Sequence, residues 1–292
     1  MKMASPPLFT LNCVAAVLHF VLFVACLGAL SENFEAPLYD IATVHYKERS
    51  GLAELGVEQS GTLNFFACLI LFFLLTCAAH IFYAATSGTT YKSFIRQTWN
   101  PVRWLEYSFT ASLMMMVLAI TAGVRSLSVL VLLAVATFCQ MGCGFMIESA
   151  MRVHKPQEMT GRLAVLVPLL LGWVLWIATW SILLVAFEQN MEDADDLNAP
   201  KDVRSVRNWR PIAEATVYSE VVLFAAFGLV SMYDVATWFQ GRRTEETFQN
   251  AELGYLVLSC VSKVLLGGLA LGNTQGAEYY ITNTRPTAQH LT

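Results

Sequence analysis

Seven long apolar stretches dominate this sequence, and each is long enough to cross the ~30 Å hydrocarbon core of a bilayer as an α-helix. They cover roughly residues 8–30, 62–86, 101–124, 127–149, 163–187, 212–239 and 250–272. Hydrophobic residues make up 56% of the chain, charged residues only 14%, and the mean hydropathy is +0.52. The connections are too short for a separate soluble domain. The sequence therefore predicts an all-α membrane protein, with residues 1–292 forming a single seven-transmembrane helix bundle.

The cysteines and short motifs favour neither a metal site nor catalysis. All seven cysteines lie in the apolar stretches, where we expect buried thiols without disulfides. The pair in "CQMGC" (139–143) has CxxxC spacing and no second Cys/His pair, which favours packing over metal binding. No GxxxxGK, HExxH or GxSxG motif occurs. We expect no metal, no enzymatic activity and no nucleic-acid partner.

The N-terminal segment has the outline of a secretory signal peptide, with Lys2, an apolar run and the small residues of "GALSEN" (28–33). However, the run is longer than the roughly 7–15 apolar residues of a signal peptide, and it contains Asn12 and His19. We therefore predict a first transmembrane helix here.

The distribution of basic residues predicts the orientation. With seven helices, the side that holds the N-terminus also holds the loops 87–100, 150–162 and 240–249, and it carries nine basic and three acidic residues. The other side carries eight basic residues and two acid-rich loops, and acids contribute little to the positive-inside rule. The counts favour a cytoplasmic N-terminus and an extracellular C-terminus.

The longest loop, 31–61, contains the aromatic and β-branched run "LYDIATVHY" (38–46) between turn-forming ends. Two interpretations are open. The loop forms a short β-hairpin outside the membrane, placed to cover a partner subunit in a homodimer, or it is an irregular polar loop.

A lysine stands in the middle of the last apolar stretch, in "LVLSCVSKVLLGG" (256–268). An ammonium at this depth costs at least a few kcal/mol unless a partner balances it. At ~1.5 Å per residue, Glu106 lies about 8 Å into its stretch from Pro101, and Lys263 lies about 15 Å into its own from Leu253. Both stretches enter from the same side and side chains tilt toward a helix N-terminus, so the lysine stem reaches toward Glu106. The pair is either a structural ion pair or the site of a lysine that forms a Schiff base with an aldehyde.

Other ionisable residues also lie at membrane depth. His19, His80, Glu148 and Glu220 belong to this group. A second set, Glu214, Asp234 and Glu252, lies within about two turns of a helix end, and we expect these carboxylates to reach water.

Seven helices with a lysine in the last and an acid near the start of the third resemble the microbial rhodopsins, and in detail the heliorhodopsins, some of which are viral. The segments that carry the resemblance are "NPVRWLEYS" (100–108), "LSCVSK" (258–263), "AAVLH" (15–19), "TCAAH" (76–80) and "GFMIES" (144–149). The resemblance implies all-trans retinal bound covalently to Lys263 and an inverted topology with a cytoplasmic N-terminus.

The resemblance also implies roles for other residues. Glu106 would be the counterion of the Schiff base and Ser259 its hydrogen-bonding neighbour. His19 and His80 would belong to a polar cavity on the cytoplasmic side, and Glu148 would face inward. Ion-pumping rhodopsins have acids where this chain has Ser259 and Thr110, which weakens the case for a conventional pump.

A retinal chain needs a long apolar and aromatic slot. Candidates are Trp173, Trp176 and Trp180 in "GWVLWIATW" and Phe224 and Phe227 in "LFAAF". A tryptophan stripe of this spacing also occurs where a helix simply packs or faces lipid, so both interpretations stay open.

Three functions are compatible with these features. The first is a light sensor, in which photoisomerisation drives Schiff-base proton transfer and a slow conformational change that a signalling partner reads. The second is light-activated proton transport through Glu106 and outer carboxylates, namely Glu188, Glu192, Glu214 and Glu220. The third is a carrier or receptor without retinal, in which Lys263 is only structural.

Overall fold

The computed structural model describes residues 6–29, 35–47, 52–196 and 204–272. Its elements in chain order are α1 (Pro6–Ala29), β1 (Glu35–Lys47), β2 (Leu52–Asn64), α2 (Phe65–Ala85), α3 (Thr90–Arg96), α4 (Pro101–Thr121), α5 (Leu127–Val153), α6 (Met159–Asp196), α7 (Arg204–Phe239) and α8 (Glu245–Gly272). Within these ranges, every helix except α3 is long and apolar enough to cross a membrane. The predicted seven-span helical fold is confirmed. We call the end of the bundle where α1 begins the N-side and the opposite end the C-side.

The helices correspond to the seven apolar stretches but differ from them at their ends. α6 runs to Asp196 and α7 begins at Arg204, so both helices extend beyond the predicted apolar stretches, 163–187 and 212–239. Residues 190–196, most of them polar, continue the helix beyond the apolar span, which ends at Gln189, because helix formation does not require an apolar side chain. The short helix α3 lies in a segment predicted as a loop.

The start of α4 has an Asn cap followed by Pro, a combination typical of helix N-termini. The Asn100 side chain accepts a hydrogen bond from the backbone N–H of Arg103 at 3.2 Å, and Pro101 is the first helical residue. At the other end, Gly123 adopts a positive φ of 87° just after the helix, a conformation that stops an α-helix and favours glycine. These two signals fix the depth of Glu106.

The 31–61 segment contains an antiparallel β-hairpin in its described part. Glu35 pairs with Asn64 and Lys47 with Leu52, and the register shifts between Leu38 and Tyr39. β2 leads directly into α2, whose first turn Asn64 caps by accepting from the backbone N–H of Ala67 at 2.8 Å. The hairpin therefore lies at the C-side.

The bundle has its core around α4, the most buried of the spans. Its main apolar cluster joins Phe72 and Phe73 of α2 to Met115 and Leu118 of α4. Many large apolar side chains elsewhere remain exposed, including Val17, Leu132 and Leu170, each more than half exposed. Such a surface suits lipid rather than water. The chain is an integral, multi-pass membrane protein.

Candidate functional site

Lys263 of α8 and Glu106 of α4 form an ion pair inside the bundle. The Lys263 Nζ lies 2.5 Å from Glu106 Oε1, and the lysine is 4% exposed. Lys263 therefore pairs with Glu106, the residue toward which its stem was predicted to reach. A buried ammonium requires such a partner, because an unpaired charge is too costly in a low-dielectric interior.

Two threonines complete the surroundings of this pair. Thr76 of α2 accepts a hydrogen bond from Lys263 Nζ at 2.9 Å and lies 3.0 Å from Glu106 Oε1, to which it donates. The Thr110 hydroxyl also lies 3.0 Å from Glu106 Oε1. Sequence reasoning missed Thr76, and a threonine in an apolar stretch gives no signal of its own.

Aromatic rings flank the ammonium. The Lys263 Nζ lies 5.5 Å from the Phe72 ring centroid and 5.3 Å from that of Tyr107, within the range of cation–π attraction. The Tyr107 hydroxyl donates to the backbone oxygen of Tyr255 at 3.1 Å. The rings hold the pair in dry surroundings, where its attraction is strong.

An apolar cavity extends from Lys263 between α4, α5, α6, α7 and α8. Trp173, Trp176, Phe224 and Phe227 line it, whereas Trp180 is buried and packs edge-on against Phe224. The cavity is further lined by apolar and aromatic residues that sequence analysis did not single out, among them Phe72, Trp104, Tyr107, Met114, Met141, Ile147, Leu169 and Tyr255.

Two glycines shape the wall of this cavity. A Cβ atom added to Gly144 would collide with the ring of Trp104, and one added to Gly228 would lie 2.7 Å from the ring of Trp173. Each indole therefore packs directly against the backbone of a neighbouring helix.

Several polar groups lie near the lysine end of the cavity. Ser259 and Ser262, both buried, line it there together with Thr110. Ser262 donates to Glu220 Oε2 at 2.5 Å, and Glu220 is fully buried. The Ser259 hydroxyl lies beside Tyr107, and its predicted bond to the nitrogen of Lys263 remains a prediction. A long apolar slot that ends at a buried amine and carboxylate fits a polyene aldehyde such as retinal.

The two predicted histidines lie together. The rings of His19 and His80 stack with centroids 5.3 Å apart, and both residues are buried. The His19 Nδ1 lies 2.7 Å from the backbone oxygen of Ala15, and the His80 Nδ1 lies 2.8 Å from Asn12 Oδ1. The structure thus forms a polar cluster between α1 and α2.

Glu148 faces inward, where it forms an ion pair with Arg103. The prediction that Asp234 and Glu252 reach water is wrong, since each is 4% exposed. Asp234 pairs with Arg243 at 2.9 Å and Glu252 pairs with Arg103. Their arginine partners come from a loop and another helix, so hydropathy alone does not reveal them.

The predicted outer carboxylates are not all brought to the cavity. Glu188 accepts a hydrogen bond from the exposed Tyr218, and Glu214 is half-buried. The side chain of Glu192 lies outside the described residues. Of this set, Glu220 contacts Ser262, a residue of the cavity wall.

Comparison with solved structures finds the same fold in microbial rhodopsins. The rhodopsin of Exiguobacterium sibiricum has a TM-score of 0.61 at 14% identity, with 95% of this chain and 99% of that chain covered. A thermophilic rhodopsin has a TM-score of 0.61 at 12% identity, with 96% and 97% covered. A light-driven proton pump from Leptosphaeria maculans has a TM-score of 0.59 at 13% identity, with 94% and 98% covered. A search of the curated proteins found no match.

The sequence itself matches a family. The profile of the heliorhodopsin family covers residues 8–274, which include the whole of the ion pair and its cavity. Rhodopsins of this fold are membrane proteins that bind retinal and sense light or transport ions, which implies a retinal chromophore here. The chain belongs to the heliorhodopsin family.

Proposed function

We propose that this chain is a photoreceptor that carries all-trans retinal on Lys263 as a protonated Schiff base, with Glu106 as counterion, and that it signals through a slow conformational change. The observation that carries the proposal is the 2.5 Å contact between Lys263 Nζ and Glu106 Oε1 at the end of an aromatic-lined cavity. When bound, retinal supplies absorption of visible light and photoisomerisation. The proposal does not require an enzymatic activity.

The protein's own residues have three tasks in this proposal. Glu106 balances the positive charge at Nζ, since an opposite charge nearby favours the charged form. Thr76 orients both partners through its hydroxyl. Trp173, Trp176 and the other rings exclude water from the cavity, which strengthens the attraction between Nζ and the carboxylate.

A sensor is favoured over a conventional pump because the positions of the additional acids carry hydroxyl residues. Thr110 stands one turn after Glu106 and donates back to it, within 3.0 Å of Oε1. Ser259 stands one turn before Lys263. The proposal includes a cytoplasmic N-terminus, a homodimer in the bilayer and a separate signalling partner. Light scattering of the purified protein tests the dimer.

Light-activated proton transport is the second candidate. It is favoured by Glu220, which is fully buried on the C-side half of α7 and accepts from Ser262, the neighbour of Lys263 in sequence. A carboxyl at this place is positioned to hold a proton between Glu106 and the outer carboxylates. Photocurrent recording under voltage clamp separates the two candidates, because a sensor gives no steady current.

Retinal reconstitution tests the main proposal. Full-length protein expressed with all-trans retinal should be coloured, and Lys263→Ala should have no visible pigment, because no other lysine lies in the membrane spans. Lys155→Ala, which changes an exposed loop lysine, should keep the wild-type colour. A stable, normally coloured Lys263→Ala protein would mean that retinal is held elsewhere.

A further inference from the structure

A second charged cluster lies at the N-side, distinct from the Lys263–Glu106 pair. Arg103 of α4 forms ion pairs with both Glu148 of α5 and Glu252 of α8. All three residues are at most 4% exposed. Three helices thus bring two carboxyl groups to one guanidinium in the interior.

Aromatic residues shield this cluster from water. The Arg103 guanidinium carbon lies 4.1 Å from the Tyr255 ring centroid and 4.8 Å from that of Trp104. Phe248 lies further away, at 6.0 Å. The guanidinium is therefore enclosed by rings and carboxyl groups, so a net charge here is poorly solvated.

Neutral donors satisfy the remaining carboxyl oxygens. The backbone N–H of Asn100 donates to Glu148 Oε2 at 3.0 Å, and its side-chain amide donates to Glu252 Oε2 at 2.9 Å. The Tyr91 hydroxyl donates to Glu252 Oε2 at 3.5 Å. Burial raises the pKa of Tyr91 to about 12, so at neutral pH this tyrosine is an uncharged donor and adds no charge.

Other titratable groups around the cluster do not correct its charge. Tyr83 of α2, Tyr107 of α4 and Tyr255 of α8 are neutral phenols at ordinary pH. Arg243 and Asp234 neutralise each other at 2.9 Å. With both glutamates ionised, the three-residue cluster would carry one net negative charge, and an uncompensated charge in such a site costs several kcal/mol.

We infer that Glu148 and Glu252 share one proton, so that the Arg103 cluster is neutral and acts as a buried proton-holding site. Two carboxyls that contact the same cation and the same asparagine titrate as a pair. The inference rests on the charges and contacts of the cluster and holds whether or not Lys263 carries retinal.

The cluster is also connected to the histidine pair. Tyr91 contacts Glu252 and interacts through its hydroxyl with Asn12. Asn12 in turn lies 2.8 Å from His80, which stacks on His19. This row of polar groups links the proton-holding site to the histidine pair between α1 and α2.

Infrared spectroscopy of the full-length protein in H₂O and D₂O tests the inference through the carboxylic acid C=O band. Glu148→Gln and Glu252→Gln each leave one carboxylate for Arg103, so each should lose the absorption of one carboxylic acid. The double variant should also lose the absorption of only one carboxylic acid. Glu158→Gln, which changes an exposed acid, should leave the band unchanged.

Other outcomes would overturn the inference. An unchanged band in both single variants would mean that both glutamates are ionised. A loss in only one of them would assign the proton to a single residue, and a double variant that loses two acids would mean that both are protonated. Arg103→Gln provides a test that does not depend on whether Glu148→Gln and Glu252→Gln fold. Without the cation both carboxyl groups should be protonated, so the C=O band should gain the absorption of one carboxylic acid.

Discussion

At the scale of single residues, one oxygen atom organises the proposed retinal site. Glu106 Oε1 lies within hydrogen-bond distance of Lys263 Nζ, of the Thr76 hydroxyl and of the Thr110 hydroxyl. Its negative charge is therefore held in one place by groups from three helices. In the proposed pigment, such preorganisation would make the position of the charge, and not only its presence, a determinant of the visible spectrum.

Glu106→Gln should shift the visible band to the red, because the cation loses its nearest anion. The visible band should also disappear at a lower pH than in the wild type, since removing an opposite charge disfavours the protonated form. A spectral titration across pH measures both effects, with Glu158→Gln as control. An unchanged maximum and titration would point to another carboxyl, such as Glu220, as counterion.

Thr76→Val should shift the visible maximum by less than Glu106→Gln, because it removes hydrogen bonds to both partners but leaves the charge. A lost hydrogen bond of this kind costs about 1 kcal/mol of stability. Thr110→Val removes a contact with Glu106 only and should shift the maximum still less. Absorption spectra of both variants check the order, which a larger shift in Thr110→Val would contradict.

At the scale of elements, the contact between α4 and α5 decides the shape of the cavity. Trp104 of α4 packs against the bare backbone of α5 at Gly144. The Ser112 hydroxyl of α4 donates to the backbone oxygen of Ala134 in α5 at 2.9 Å. The two helices approach closely because small residues lie between them.

Gly144→Ala should destabilise the protein by about 1–3 kcal/mol, the usual cost of overpacking. The new methyl group would push Trp104 toward the cavity, so retinal uptake should slow as well. Gly142→Ala is the matched control on the same helix, since a Cβ there meets nothing within 4 Å. Thermal unfolding in detergent and the rate of colour formation measure the two effects. Equal stability of both variants would contradict the packing argument.

At the scale of the whole molecule, the proposed orientation rests on a narrow difference in the number of basic residues between the two sides. Two of the counted arginines are buried, Arg103 on the N-side and Arg125 on the C-side. Leaving both out removes one basic residue from each side, so the difference in basic residues between the sides stays the same.

An epitope tag at the N-terminus should bind antibody only after the membrane is permeabilised, whereas a C-terminal tag should be accessible on intact cells. The physical reason is the excess of basic residues in the short loops of the N-side. Staining of the N-terminal tag on intact cells would reverse the topology proposed here.

The sequence by itself determined the features that depend on local chemistry. Hydropathy determined seven membrane spans, because only helices of this length satisfy their backbone in lipid. Asn100 and Pro101 set the start of α4, and the fixed rise of a helix then gave the depth of Glu106 relative to Lys263. Charged groups at membrane depth need partners, so this depth predicted the ion pair between Lys263 and Glu106.

Only the tertiary structure decided which faces of the helices meet. Thr76 and Lys263 are 187 residues apart, yet they form a hydrogen bond, and Arg103 takes its two acids from helices that follow it in the chain. Asp234 and Glu252 lie within about two turns of a helix end, yet both are buried beside arginines. The rotation and tilt of each helix follow from close packing against its neighbours, as at Gly144 and Trp104. That packing depends on the shapes of several helices at once, which no single stretch of sequence contains.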